Sequence, residues 1–327
     1  MNKDCGGRIV RCLCKNQNLN QLMDICKIAG CLLFITASFQ PVDGQQKLIE
    51  EAKLFAFGAV ADVQYADVES AGKRHYRGSL KKLEKCLSIF NDHDLAFVVH
   101  LGDLIDRDYN NFVEPLTIFE RSKAPVHYVI GNHEFAVADS VKKKVRGLLK
   151  NKKGYYDFEF GNVRFVVLDG MDISLYASVE GTKPYHKAKA IYDSLKEAGA
   201  NNAYPWNGGL GSKQLSWLDK VLSKSDRKEQ HVILFSHFPL LPETGLQLWN
   251  NHNVLELISD HPSVVASITG HHHAGEYVLY GGVHHLTLKG IVEAEQETTC
   301  GIIDVYGDKL IVNGYGDEED RTLYFAK

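Results

Sequence analysis

Seven side chains able to hold a metal ion close five separate apolar runs of this chain, and their types limit what they can bind. The runs end in Asp62-Val63-Gln64, Asp103-Leu104-Ile105-Asp106, Asn132-His133-Glu134, Ser236-His237-Phe238 and His271-His272-His273. Carboxylates (Asp62, Asp103), amide oxygens (Gln64, Asn132) and imidazoles (His237, His271, His273) make a hard-to-borderline set with no thiolate. Mn²⁺, Mg²⁺, Fe and Zn²⁺ all suit such ligands. Seven ligands exceed the needs of one ion. Two ions roughly 3.5–4 Å apart, bridged by one carboxylate and a hydroxide, use them economically. Any one of these residues alone reads as a turn, a cap or a satisfied core group. Five successive run ends do not.

Each run is a short β-branched and aromatic stretch closed by Gly, Asn, Asp or His, the pattern of a buried strand entering a loop. Ligand sites of open α/β sheets gather at the carboxyl ends of strands. The spacing of Asp62 and Gln64, and of His271 and His273, predicts pairs leaving one face of an extended backbone, with His272 turned away. Between the strands, helices are expected at Leu80–Phe90, Asn111–Ser122, Gln214–Ser223 and from Asn253 onward. A hairpin is expected over Tyr155–Gly170, with Gly161-Asn162 at its turn. Short strands follow at Tyr277–Tyr280, His284–Lys289, Gly301–Tyr306 and Lys309–Gly314. A βαβ start and a strand-rich second half predict an α/β fold: a four-layer α/β/β/α sandwich with a dinuclear site at the strand carboxyl ends. One domain is expected over residues 45–327. Within it, residues 171–211 read as a long, weakly periodic loop on the substrate side of the site.

With 327 residues, 44% hydrophobic and 24% charged, the chain can bury a sizeable core. The formal charge is −4, and residues 1–44 hold five Lys/Arg against three Asp, so the remainder is more acidic than the whole. An acidic body argues against a nucleic-acid partner and leaves bound metal to attract a phosphate substrate. Residues 1–44 read as a leader. The apolar run at residues 28–39 has signal-peptide length, follows Lys27, precedes Pro41 and is too short for a stable membrane span. Val42 and Gly44 offer a small-residue cleavage site, and Met23 an alternative start. The expectation is export to the periplasm or outside, or a cytoplasmic location if this segment is not a signal. Five of the seven cysteines lie in the leader. Cys86 and Cys300 are expected to be buried thiols, without a disulfide framework. No protein partner is indicated.

Taken together, the five blocks resemble the calcineurin-like metallophosphoesterase superfamily, over about Leu54 to Tyr315. Carried over position by position, the resemblance implies one ion held by Asp62, Gln64, Asp103 and His273. It implies a second held by Asp103, Asn132, His237 and His271, with Asp103 bridging. It places His133 over the substrate as proton donor to the leaving oxygen, with Asp106 orienting its ring. Gln64 stands where His is commoner, and a neutral amide oxygen tilts that ion towards Mn²⁺ or Mg²⁺. The tyrosine of the purple acid phosphatases is missing, so an Fe³⁺–tyrosinate centre is not expected.

Within the superfamily, Asp62-Val63-Gln64-Tyr65-Ala66-Asp67, Tyr76-Arg77-Gly78-Ser79-Leu80, Asn207-Gly208-Gly209-Leu210-Gly211 and Phe235-Ser236-His237-Phe238-Pro239 look like the Mn²⁺-dependent ADP-ribose/CDP-alcohol diphosphatases. These split the pyrophosphate of nucleoside diphosphate conjugates into two monophosphates. Arg74, His75 and Arg77 are then candidates for the diphosphate, because guanidinium pairs well with phosphate. Tyr65, Phe238, Tyr204 and Trp206 are candidates for stacking on a base. The loop Val68–His75 is shorter than usual and lacks the family's base-facing aromatic residue. A phosphomonoesterase or protein phosphatase and a cyclic-nucleotide phosphodiesterase would use the same metals. A catalytically silent metal-binding module would have no need of the His133–Asp106 pair.

Overall fold

Residues 52–294 and 298–326 are described by the computed structural model, so the leader expected at residues 1–44 lies outside the described residues. The first half of the fold holds β1 (Phe55–Val60), α1 (Ser79–Asn91), β2 (Val98–His100), α2 (Val113–Phe119), β3 (Val126–Tyr128), α3 (Lys142–Leu148), β4 (Tyr156–Phe160) and β5 (Val163–Val167). Next come β6 (Ile173–Ser174), α4 (Lys183–Glu197), β7 (Gly208–Gly209), α5 (Ser212–Arg227), β8 (His231–Phe235), α6 (Asn251–Ser259) and β9 (Val264–Thr269). The chain then runs through β10 (Glu276–Tyr280), β11 (Val283–Thr287), β12 (Thr299–Val305), β13 (Lys309–Gly316) and β14 (Arg321–Tyr324).

Two six-stranded sheets result, ordered β14-β13-β12-β1-β2-β3 and β10-β11-β9-β8-β5-β4. Strands β1, β2 and β3 run parallel, as do β5, β8, β9 and β11. The site-bearing ends of β1, β2 and β3 therefore share one end of their sheet, and those of β8 and β9 share one end of theirs.

Alternation along each strand sets the layers. Phe57, Ala59 and Ala61 join Val99, Phe165, Val167, Phe235 and Ile268 in one core cluster, formed by residues of both sheets. The Phe57 and Phe97 rings stack at 4.9 Å, and Phe235 meets Phe57 edge-on at 5.7 Å. The intervening residues Ala56 and Val60 pack in another cluster with Leu83, Cys86, Leu87 and Phe90 of α1. That cluster also takes Val166 and Leu234 together with Leu218 and Leu222 of α5. Strands buried on both faces and covered by helices give the expected α/β/β/α order. Cys86 and Cys300 are buried free thiols, as expected.

Residues 171–211 differ from the expected loop. They hold β6, β7 and the 15-residue helix α4. Thr182 caps α4, its hydroxyl accepting from Tyr185 N at 3.5 Å, and Pro184 sits in the first turn. Ala188 alone of its residues is buried, which explains the weak apolar period. The signal lay in the cap and the proline, not in a hydrophobic stripe.

Candidate metal centre

Four of the seven ligand candidates leave the ordinary backbone regions. Asp62, Gln64, Asp103 and His271 have φ of 54°, 41°, 58° and 70°. Left-handed backbone at non-glycine residues costs about 1–3 kcal/mol each and persists where surroundings over-determine it. Here backbone hydrogen bonds do so: Asp62 N donates to Gly102 O at 3.1 Å and Gln64 N to Asp103 O at 2.7 Å. The buried Glu134 carboxylate accepts from Asp103 N at 3.0 Å and Gly131 N at 2.7 Å, tying the loop after β2 to the loop after β3. Close approach also demands glycine. A Cβ on Gly102 would meet His237 Nδ1, and one on Gly131 would meet the Asp103 carboxylate.

These turns bring the candidates into one cluster with Asp103 at its middle. Asp103 Oδ2 lies 3.2 Å from His237 Nε2 and 3.1 Å from Gln64 Nε2. On one side, His237 Nε2 is 3.3 Å from Asn132 Oδ1 and 3.1 Å from His271 Nδ1. On the other, His273 Nε2 is 3.0 Å from Gln64 Nε2 and 3.4 Å from Asp62 Oδ1. Asp62 also accepts His271 N at 3.0 Å, joining the two sheets at this seam.

The outward nitrogen of each imidazole is occupied. His237 Nδ1 lies 2.9 Å from Leu101 O, His273 Nδ1 2.8 Å from Glu293 Oε1, and His271 Nε2 3.1 Å from Asn207 Oδ1. Each partner is an oxygen acceptor, so each outward nitrogen carries a hydrogen, and the inward one would offer its lone pair to a bound cation in place of any proton it holds. Burial opposes charge on His237, but Asp103 and Asp62 push its imidazole up to about 9. Burial opposes charge on His273 too, and Asp62 with Glu293 raises it to about 9. Burial and the neighbouring His237 hold His271 well below the ordinary imidazole value. The buried carboxylates thus attract positive charge to two places, one at His237 and one at His273.

The donor set fits two hard or borderline cations. Gln64 Oε1 is buried without a hydrogen-bond partner, while its NH₂ faces Asp103 and His273. A half-turn of the terminal torsion exchanges the two ends of the amide. It sets the orphaned oxygen beside a carboxylate and an imidazole nitrogen, where a cation would use all three.

Above the cluster opens a cavity of about 490 Å³, its lining including Gln64, Arg74, Asn132, His133 and His271. His133 Nδ1 is 2.8 Å from Asp106 Oδ1, and its Nε2 is 4.0 Å from Asp103 Oδ2. Burial works against charge on His133, but Asp103 and Asp106 raise it above the ordinary value.

Of the residues expected to meet substrate, Arg74 lines this cavity. Arg77 is exposed and paired with Asp67 and Glu69. His75 faces a different cleft and contacts Ser70 Oγ at 3.2 Å. Tyr65 is buried at 7% exposure. Phe238 is fully buried, its ring 4.6 Å from that of His271, where it packs behind a candidate ligand. His272 lines the cavity beside His271 and His273, contrary to strict alternation, because the backbone at His271 is not extended. Trp206, Tyr176, Leu246, Ala274 and Glu293 complete the wall. Of these, Trp206 alone is among the residues expected from the sequence to meet substrate.

A seam of carboxylates and imidazoles at the strand ends of a four-layer sandwich defines a metallophosphoesterase. Residues 55–275 match the Calcineurin-like phosphoesterase family, and the chain belongs to it. More particularly, it is similar to the manganese-dependent ADP-ribose/CDP-alcohol diphosphatase of Xenopus tropicalis, at 32% identity over 86% of this chain and 97% of that one. The protein of the same description from Arabidopsis thaliana is 34% identical over 80% of this chain and 94% of its own. A crystal structure of a dimetal phosphatase from Danio rerio superposes with a TM-score of 0.76 at 29% identity, covering 84% of this chain and 100% of that one.

Proposed function

We propose that this metal-dependent hydrolase splits the pyrophosphate of nucleoside diphosphate conjugates, ADP-ribose and CDP-alcohols, into two monophosphates with two Mn²⁺ ions. The observation that carries this reading is the place of Asp103, whose one carboxylate oxygen faces Gln64 on one side and His237 on the other. Asp62, Gln64, Asp103 and His273 would hold one ion, and Asp103, Asn132, His237 and His271 the other. When bound, such ions supply Lewis-acid polarisation of phosphoryl oxygens and acidify an attacking water.

The chain's own groups do the rest. Arg74 brings a guanidinium to an otherwise acidic site, where it pairs with the second phosphate. His133 donates a proton through Nε2 to the leaving phosphate oxygen, its Nδ1 held by Asp106. Trp206 offers a ring face to the base, backed by Tyr204 stacked at 4.7 Å and 13°. A small phosphorylated substrate is the one partner this reading requires.

A panel of ADP-ribose, CDP-choline, cyclic AMP and p-nitrophenyl phosphate, each with Mn²⁺ or Mg²⁺, tests the proposal. AMP and ribose 5-phosphate should form from ADP-ribose, fastest with Mn²⁺. Faster turnover of p-nitrophenyl phosphate or cyclic AMP than of both anhydrides would move the assignment to a phosphomonoesterase or cyclic-nucleotide phosphodiesterase. Export directed by residues 28–39 is also proposed, on their length and apolar character. Amino-terminal sequencing of the mature protein decides it, with a start near Gln45 expected.

A further inference from the structure

Asn207 is fully buried and follows the cavity-lining Trp206 directly. Its Nδ2 donates to Asn202 O at 3.0 Å and to Gly245 O at 2.8 Å. Those two carbonyls use both amide hydrogens, so the orientation of the side chain is fixed. Oδ1 must then face His271 Nε2, 3.1 Å away, and can only accept. His271 therefore carries its hydrogen on Nε2 and presents the Nδ1 lone pair towards His237 and Asp103. His237 and His273 present Nε2 instead, their Nδ1 atoms being held by Leu101 O and Glu293.

The other ends of the Asn207 amide reach the substrate side. Gly245 precedes Leu246, which lines the cavity with Trp206. The same region is braced by Trp249 N donating to Gly208 O at 2.8 Å and by Trp249 Nε1 donating to Tyr204 O at 3.1 Å. One side chain thus joins two cavity-lining segments to one imidazole of the metal cluster.

We propose that Asn207 is a positioning residue. It fixes the tautomer and ring angle of His271, and it couples the ion held there to the Trp206 and Leu246 walls. The inference rests on the metal assignment above. It assigns separate tasks to the two ends of one amide: the oxygen serves the ion, and the NH₂ serves the walls.

Mn²⁺ titration by calorimetry and electron paramagnetic resonance, on wild type and variants, separates these tasks. Wild type should bind two Mn²⁺. Asn207→Leu should weaken one of them by about 10–100-fold, the usual loss when a partner behind a metal-bound histidine is removed, and leave the other unchanged. Asn207→Asp keeps the acceptor but loses both donors. It should hold both ions while KM for ADP-ribose rises more than KM for p-nitrophenyl phosphate. A mutation-free check is the His271 tautomer, read by ¹⁵N–¹H correlation in the Mg²⁺-loaded enzyme, which should show the hydrogen on Nε2. Fewer than two Mn²⁺ in wild type would overturn the metal assignment and this inference with it. Two sites in wild type with both unaltered in Asn207→Leu, or a hydrogen on Nδ1 of His271, would overturn the inference alone.

Discussion

Asp106 Oδ1 lies 2.8 Å from His133 Nδ1, leaving Nε2 as the nitrogen nearer the metal cluster, 4.0 Å from Asp103 Oδ2. His133→Ala should keep both ions but slow anhydride hydrolysis by about 10²–10⁴-fold, the usual share of general acid catalysis. The loss should be larger for an alkyl phosphate ester, whose leaving alkoxide needs a proton, than for p-nitrophenyl phosphate, whose leaving group does not. An equal loss on both would assign His133 to positioning. The sign of the pH dependence follows from its raised value. A proton donor works below its pKa, so kcat should fall as pH rises through it. Asp106→Asn removes one of the charges that raise it and should move that alkaline limb to lower pH.

Asp103→Asn exchanges the carboxylate proposed to bridge the ions for an amide whose NH₂ would repel cations. Metal content by elemental analysis and turnover should fall together. Full activity in a metal-loaded variant would sink the dinuclear reading.

Gln64→His supplies an imidazole where the amide now stands. If Gln64 Oε1 ligates, this change should shift the preference from Mn²⁺ towards Zn²⁺ or Fe, which imidazole suits. Activity over Mn²⁺, Mg²⁺, Co²⁺ and Zn²⁺ measures the ranking. The same order in both proteins would assign Gln64 a supporting place behind the ligands.

Trp206→Ala removes the proposed base platform. Stacking on an aromatic side chain is worth about 1–3 kcal/mol per base, so KM for ADP-ribose should rise about 5–150-fold. KM for p-nitrophenyl phosphate, which has no base, should barely move. Equal changes on both substrates would count against stacking.

Glu134→Gln keeps shape but replaces an acceptor oxygen with a donor beside backbone N–H groups. Leaving such groups buried and unpaired costs about 1–3 kcal/mol. Urea unfolding should show that loss, and unchanged stability would mean the two loops do not depend on this clamp.

The strands and the polar residues that gather at their ends were legible because both are local: an apolar run and the polar residue that ends it are neighbours in sequence. The direction of side chains was not. Asp62 and Gln64 reach one centre, as a two-residue spacing suggested, yet by left-handed turns and not by strand alternation. His272 enters the cavity beside its neighbours for the same reason. Arg77 carried the right charge, but Asp67 and Glu69 lie close enough to claim it. Glu293 and Leu246 left no mark in the sequence, since a wall residue is defined by what it faces across a cavity.

The seam between the sheets orders the life of the chain as well as its chemistry. Asp62, Gln64, Asp103 and Asn132 leave the ribosome first, and His237, His271 and His273 more than a hundred residues later. The strands β12, β13 and β14 that complete the first sheet come last of all. If these residues hold the ions as proposed, high-affinity occupation must await nearly the whole chain. Once bound at a hundredfold excess over Kd, each ion adds about 2.7 kcal/mol to the native state alone. A cell starved of the ion would hold newly made chains that open along this seam more often and meet proteases there sooner, so scarcity would lower the amount of protein as well as its turnover.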